Sequence, residues 1–238
     1  MSVVLVTGGT RGIGRAIADA FAAHGDTVAV CARREPEDCP HPFFAADLRE
    51  AAACTQLVAA VTEQLGGVDV LINNAGGSPW ADAATASPRF LTKIVSLNLL
   101  SPFFMAQAVY PHMSAHGGVI VNVSSVSGLR ASPGTAAYGA AKAGLLNLTK
   151  TLAVEWAPTI RVCAVSPGLV ATADAMAHYP DPDAIAATVP LNRFATPEDV
   201  AEACLYLASD KASYASGTNI VLDGGGDWPA FLRPKGTP

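Results

Sequence analysis

Tyr138 and Lys142 stand four residues apart in the run AAYGAAKAGLLNLTKTLAVEW, which is otherwise mostly small and apolar. On a helix, positions i and i+4 share a face, so this spacing sets a phenol beside an ammonium with little other polarity around them. A free tyrosine titrates at about 10, and a neighbouring cation lowers that value by favouring the phenolate. The two residues therefore offer an acid–base pair. By themselves they are equally two unrelated side chains on a helix surface, because Tyr-x-x-x-Lys is a short pattern.

A second chemical feature lies near the start of the chain, where TGGTRGIG (7–14) follows the apolar run VVLVT (3–7). Gly8, Gly12 and Gly14 give the spacing GxxxGxG, which differs from the commoner GxGxxG because Ile17 stands where its third glycine would fall. The physics is shared. Glycines let the backbone turn tightly against a pyrophosphate, and a helix N-terminus offers free N–H groups and a positive dipole end. Gly8, Thr10, Arg11, Gly12, Ile13 and Gly14 are thus the expected nucleotide-facing residues. After the next apolar run, TVAVCA, the position that often carries a ribose-binding acid is Ala32, followed by Arg33 and Arg34. An acid there would repel a 2′-phosphate, whereas arginine holds one bidentately. The expected cofactor is NADP(H) rather than NAD(H), with Arg11 adding to the cationic side.

Short strand-like runs alternate with longer helical ones around these motifs. Strands are predicted at 3–7, 27–32, 42–46, 68–74, 118–125, 160–166 and 219–223, and helices at 12–24, 50–65, 99–114, 136–156 and 197–208. Strands apolar throughout are buried on both faces, as in a parallel sheet covered by helices. The alternation predicts a doubly wound, Rossmann-type α/β fold with about seven strands flanked by helices on both faces, as one domain over 1–238. Thr196-Pro197 supplies a capping hydroxyl and an N1 proline to the last helix. Residues 173–195 hold three prolines and little periodicity, and suit a substrate loop or lid.

The totals agree with an enzyme of this kind. The 238 residues are 50% hydrophobic and 15% charged, with a net charge of −5, so a large core is expected and a basic face for nucleic acid is not. The start, MSVVLVTGG, lacks the basic n-region of a signal peptide, and no apolar stretch approaches the length of a membrane span. Five cysteines form no CxxC, which suits free thiols in a reducing cytoplasm. His112 and His116 have metal-ligand spacing but no accompanying glutamate, so a solvated helix end is expected and no metal.

Taken in order, TGGTRGIG, NNAG (73–76), Asn98 in SLNLL, Ser124-Ser125, YGAAK, Pro167-Gly168 with Thr172, and the closing LDGG (222–225) resemble the short-chain dehydrogenase/reductase family over essentially the whole chain, in its compact 3-oxoacyl-reductase-like branch. The resemblance implies Tyr138 as general acid–base, Lys142 lowering its pKa and binding the nicotinamide ribose, Ser125 holding the substrate carbonyl, and Asn98 positioning a relay water. It further implies Asp47 and Leu48 near the adenine, Asn74, Ala75 and Gly76 beside the adenosine and central sheet, and Pro167, Gly168, Val170 and Thr172 on the nicotinamide side. Ala141 departs from a frequent serine, but the tyrosine and lysine are intact.

Substrate contacts are expected from Ser125, Ser127, Trp80, Leu169 and Met176, a mostly apolar set that fits a hydrophobic 3-oxoacyl thioester or cyclic ketone. Arg130 is a weaker candidate for a carboxylate or carrier phosphate. The alternatives are a dehydrogenase of secondary alcohols or hydroxysteroids and a non-catalytic NADP(H)-sensing protein. The family also implies a dimer or tetramer built on the helices near 99–114 and 136–156, and Trp228, Phe231 and Leu232 near the chain end suggest a tail packed on a neighbouring subunit.

Overall fold

The computed structural model describes residues 1–177 and 179–226; the tail aromatics fall outside this range. Seven strands form one sheet in the order β3-β2-β1-β4-β5-β6-β7: β1 Val3–Thr7, β2 Thr27–Ala32, β3 Phe43–Ala45, β4 Val70–Asn73, β5 Gly118–Val123, β6 Ile160–Pro167 and β7 Asn219–Leu222. All six pairings are parallel. The helices are α1 Gly12–His24, α2 Ala51–Leu65, α3 Pro88–Val95, α4 Ser101–His116, α5 Ala136–Glu155, α6 Ala173–Met176, α7 Pro182–Ala186 and α8 Pro197–Ala208.

Strand periodicity sorts the core into two layers. Val4 and Val6 point to the face covered by α1 and α8, where they meet Ile17, Phe21, Val200 and Leu207. Leu5, between them, points to the opposite face and joins Leu57 and Val61 of α2, Met105 and Val109 of α4 and Leu152 of α5. Because both faces are covered, the strands need no polar face, which is why their sequences are apolar throughout.

The structure corrects the sequence reading in three places. First, the helix expected at 99–114 is the second part of a longer one: α3, a π-helical turn over Ser96–Leu100 and α4 run on without a break. Ser87 starts it by accepting from the Phe90 N–H at 3.2 Å, with Pro88 in the first turn. The whole segment, Pro88–His116, has 29 residues and a window of mean hydropathy 1.2, so by length and composition it is long and apolar enough to cross a bilayer. Its inner face is instead spent on the sheet, with Met105, Val109 and Met113 fully buried. Second, 173–195 is not all loop. Thr172 caps α6 by accepting from Ala175 N at 3.2 Å, and Asp181 caps α7 by accepting from Ala184 N at 3.0 Å. Pro182, which looked like a breaker, is a helix-starting proline. Third, β3 and β4 are shorter than predicted, because only their central residues reach ladder partners. The α8 start is as expected, with a full capping box between Thr196 and Asp199. His112 and His116 stack at 4.9 Å between ring centroids on the end of α4, and all five cysteines are free thiols, Cys31 and Cys204 pushed up to about 12 by burial.

A polar chain crosses the middle of the sheet. Asn73 and Asn122 are register partners on β4 and β5, and Asn73 Nδ2 donates to Asn122 Oδ1 at 2.9 Å and to the Pro102 carbonyl of α4. Asn122 Nδ2 in turn donates to Thr149 Oγ1 of α5 at 2.9 Å. Every member is buried and every group is partnered, so the chain fixes α4 and α5 against the two central strands. Thr149→Val keeps the shape and removes the acceptor, leaving a buried amide N–H alone, at a cost of about 1–3 kcal/mol. A urea titration should show a lower midpoint at unchanged slope; an unchanged midpoint would show that the chain contributes nothing.

Candidate active site

The cleft sits where the strand order reverses, between β1 and β4, at their carboxyl ends. Thr7, absent from the sequence-based candidates, is its knot. Its Oγ1 accepts from the N–H groups of Asn74 (2.9 Å) and Ala75 (3.0 Å) and donates to the Ile72 carbonyl. Asn74 Nδ2 donates back to the carbonyls of Thr7 and Gly8 at 2.9 and 3.2 Å. The glycine turn is thereby stitched to the NNAG segment. A methyl on Gly14 would stand 2.2 Å from the Gly8 carbonyl oxygen, so only glycine fits there. Gly12 has φ +53° and lies 3.4 Å, by the same measure, from Thr172 Cγ2, which brings the expected nicotinamide-side segment over the turn. Arg11, at the N-cap of α1, makes no side-chain capping bond. A tight turn that admits no Cβ, opening onto an uncapped helix N-terminus, fits a dinucleotide pyrophosphate.

At the adenosine end, Ala32 ends β2 and Arg33 and Arg34 are exposed beyond it. Asp47 is gripped by a residue the sequence reading passed over: Arg49 Nε donates to Asp47 Oδ1 at 2.9 Å, and Nη2 pairs with Oδ2. Arg49, helped by Arg33, holds the Asp47 carboxyl down at about 2, and Leu48 is buried beneath. Arg11 turns the other way and pairs with Asp174 of α6 at 2.7 Å.

The expected catalytic residues converge. Ser125 caps a 3-10 turn over Val126–Gly128 by accepting from Ser127 N at 3.1 Å, and its side chain lies near enough to Tyr138, in the first turn of α5, to favour the phenolate. Lys142, one turn on, is 2% exposed; its Nζ donates to the Val123 carbonyl at 2.7 Å and lies 5.7 Å from the Tyr138 ring centroid. Asn98 is fully buried in the π-helical turn, where Oδ1 accepts from Gly77 N at 2.8 Å and Nδ2 donates to the carbonyls of Gly77 and Ile94. Gly76 passes between Asn98 and Lys142: a methyl on it would stand 2.6 Å from Asn98 Oδ1 and 3.4 Å from Lys142 Nζ. Two hydroxyls side by side next to a buried ammonium can donate two hydrogen bonds to one oxygen and deliver a proton to it.

Burial is the largest influence on the titration of this pair. Desolvation raises the Tyr138 pKa, and the Ser125 hydrogen bond only partly opposes it. The Lys142 ammonium donates to a strand carbonyl and lies 5.7 Å from the centroid of the Tyr138 ring.

The remaining candidates line the rim. Gly168 N donates to the Leu222 carbonyl at 2.8 Å, and a methyl on Gly168 would meet Asp223 Cα at 3.2 Å, so the Pro167–Gly168 turn rests on the end of β7. Val170 is buried and pairs with Ala195, which holds Leu169 and the start of the 173–195 segment near the cleft. Met176 ends α6 half-buried. Ser127 Oγ accepts from Ser132 Oγ at 3.1 Å. Trp80 is 74% exposed on the loop after NNAG, and Arg130 is exposed on the loop before α5.

Burial also pushes Lys142 down to about 8 from an ordinary value of 10.5. Below about pH 8 both folded and unfolded chains carry the charge, and the folded state bears its full desolvation cost. Between pH 8 and 10.5 the unfolded chain binds more protons, so stability gains with rising pH. Lys142→Met removes this contribution. The stability of wild type relative to the variant should rise from pH 7 to pH 10 in paired denaturant titrations; a flat difference would mean that the ammonium is not desolvated.

Comparison with known proteins agrees with this geometry. Residues 8–227 match the family model described as Enoyl-(Acyl carrier protein) reductase. The chain is 38% identical to a granaticin polyketide synthase putative ketoacyl reductase 2 of Streptomyces violaceoruber, over 94% of this chain and 95% of that protein. It is also 38% identical to a 3alpha-hydroxysteroid dehydrogenase of Mediterraneibacter gnavus, over 93% and 95%. An uncharacterized short-chain type dehydrogenase/reductase of Sinorhizobium fredii is longer, and this chain covers 45% of it at 38% identity. In structure, the chain superposes on the ligand-free aldohexose dehydrogenase of Thermoplasma acidophilum with a TM-score of 0.91 at 28% identity, covering 100% of this chain and 97% of that one. With the glycine turn, the Ser125–Tyr138–Lys142 cluster and a seven-stranded doubly wound sheet all in place, the chain belongs to the short-chain dehydrogenase/reductase family of oxidoreductases, which use a nicotinamide dinucleotide.

Proposed function

We propose that the protein is an NADP(H)-dependent reductase of hydrophobic carbonyl compounds, 3-oxoacyl thioesters or cyclic ketones, acting in the cytoplasm as a homo-oligomer. The observation that carries this reading is the convergence of Ser125, just past the end of β5, on Tyr138 beside the buried Lys142. When bound, the nicotinamide supplies the hydride. Negative charge then grows on the carbonyl oxygen, where Ser125 and Tyr138 donate hydrogen bonds and Tyr138 delivers its proton. Lys142 favours the phenolate left behind. An ammonium has three N–H donors and the Val123 carbonyl takes one, so Lys142 can also hold a ribose hydroxyl. Asn98, locked by Gly77 and Ile94, keeps the wall of the cleft polar next to Lys142 and suits a water that returns protons to the site.

The preference for a 2′-phosphate rests on Ala32 replacing an acid and on Arg33 and Arg34 beyond it. Leu169, Met176 and Trp80 supply the apolar side of the substrate space. The free, mostly buried thiols suit a reducing compartment. Oligomer contacts fit the outer faces of α4 and α5, where Tyr110 and Trp156 pack at 4.8 Å between centroids and Tyr110 and Val154 are 40% and 80% exposed. The same residues would run in reverse on a secondary alcohol, and the resemblance to a 3alpha-hydroxysteroid dehydrogenase favours this as the second reading. A purely sensing role has no need of the intact Ser125, Tyr138 and Lys142.

The test follows loss of reduced-nicotinamide absorbance against a panel of 3-oxoacyl thioesters, cyclic ketones and steroid ketones. Tyr138→Phe should lower kcat by about 100- to 10,000-fold while the cofactor still binds; turnover that survives the substitution would sink the mechanism. Ala32→Asp should weaken NADPH relative to NADH by about tenfold or more, as expected for a repulsive charge at a phosphate site. An unchanged ratio would remove the argument for NADP(H).

A further inference from the structure

Trp80 is the large aromatic residue of the cleft that is left 74% exposed. It is nevertheless not loose. A methyl placed on Gly134 would stand 2.0 Å from Trp80 Nε1 and 2.1 Å from Cδ1, so the pyrrole edge of the indole fills the space where a side chain at 134 would be. Gly134 has φ +79°, a conformation that L side chains rarely adopt, so glycine is required there twice over. The neighbouring backbone repeats the link, because Ala81 N donates to the Gly134 carbonyl at 2.8 Å. The loop after NNAG and the loop leading into α5 therefore form one wall, clasped by an indole edge.

This wall adjoins the chemistry. Gly134 precedes the first residue of α5 by two positions, and Tyr138 sits in that helix's first turn. Beside the clasp, a narrow cleft is lined by Gly134 and by small and apolar side chains that include Ala81, Ala86, Phe90, Ala136 and Ala137. On the other side of Gly134, Thr135 and Ser132 hydrogen-bond each other at 2.7 Å, and Ser132 donates to Ser127, so the loop is anchored to the turn that carries Ser125. The indole is thus held by one edge against a fixed support while the residue stays 74% exposed. An aromatic face fixed in this way binds a flat ring by offset stacking, with little conformational entropy to lose. An acyl chain gains much less from such a surface.

We propose that Trp80, clasped on Gly134, determines substrate specificity by stacking on a fused or single ring of the substrate, and so selects cyclic and polycyclic ketones over open-chain 3-oxoacyl thioesters. The inference deepens the reductase reading and rests on it for the kinetic part of its test. Wild type, Trp80→Ala, Trp80→Phe and Gly134→Ala would be compared on a bicyclic ketone, a 3-oxosteroid and a short 3-oxoacyl thioester. Trp80→Ala should raise KM for the ring substrates by about tenfold with kcat held, and several-fold less for the thioester. Trp80→Phe should restore most of the ring affinity, and Gly134→Ala, which pushes the indole off its seat, should resemble Trp80→Ala. Equal effects on both substrate types, no effect on either, or a changed oligomeric state with unchanged kinetics would overturn the proposal. So would a wild-type enzyme that turns over thioesters alone, which would leave the reductase reading standing. A second readout needs no turnover: an unreactive polycyclic alcohol should quench wild-type tryptophan fluorescence, and the quench should vanish in Trp80→Phe, which retains Trp156 and Trp228. Quenching that persists in the variant would overturn the proposal even if no carbonyl proves to be a substrate.

Discussion

The buried ammonium of Lys142 is the constraint around which the rest of the cleft is arranged. A charge at 2% exposure is costly unless it is hydrogen-bonded, and the acceptor is the Val123 carbonyl at the end of β5. That contact demands that the strand end and α5 come together, and two further features close the gap. Ser124 donates to the Lys142 carbonyl at 3.1 Å. Gly128 lets the turn after β5 press on the α5 backbone, since a methyl there would stand 2.7 Å from the Lys142 carbonyl carbon. Gly76 then brings the loop after β4 to the same charge from the other side. Three segments distant in sequence meet because each lacks a side chain, or offers one hydroxyl or carbonyl, where the ammonium must fit.

The sheet order supplies the complementary half. With β1 and β4 adjacent, the loops that leave them diverge to opposite faces and open a crevice at their carboxyl ends. Thr7 and Asn74 bind the two loops across this divide with four hydrogen bonds between them, so the crevice is stiff at its base. The Asn73–Asn122–Thr149 chain extends the stiffness through the sheet to α5. The glycine turn and the helix that carries Tyr138 and Lys142 are therefore two ends of one hydrogen-bonded frame, which is what a reaction between two bound molecules needs.

Much of this was legible in the sequence. The strand and helix alternation, the glycine turn and the order of the motifs follow from period and residue type, because a doubly wound sheet makes each strand apolar and each helix amphipathic. What escaped was whatever depends on contacts between distant residues. Thr7 reads as the last residue of an apolar strand, and only the fold brings Asn74 and Ala75 onto its hydroxyl. Arg49 is a loop arginine until β3 and α2 set it on Asp47. Pro88 and Pro182 look like breakers in sequence, yet each follows a capping side chain and starts a helix. Gly134 is the glycine of a short turn-like SPGT stretch, and its partner Trp80 lies more than fifty residues away.

The spacing of Tyr138 and Lys142 suggested a tyrosine made acidic by its neighbour, and the structure sets two effects against each other. Desolvation raises the phenol and lowers the amine. An ammonium anchored to Val123 and packed over the ring does not offset the burial of the hydroxyl. A phenol that holds its proton is the form that can donate to a growing alkoxide, whereas oxidation of an alcohol must begin from the phenolate. Burial thus favours the protonated form of Tyr138. In the proposed reduction Lys142 acts on the charge that appears once the proton has left, when an anion in a low-dielectric site gains most from a nearby cation.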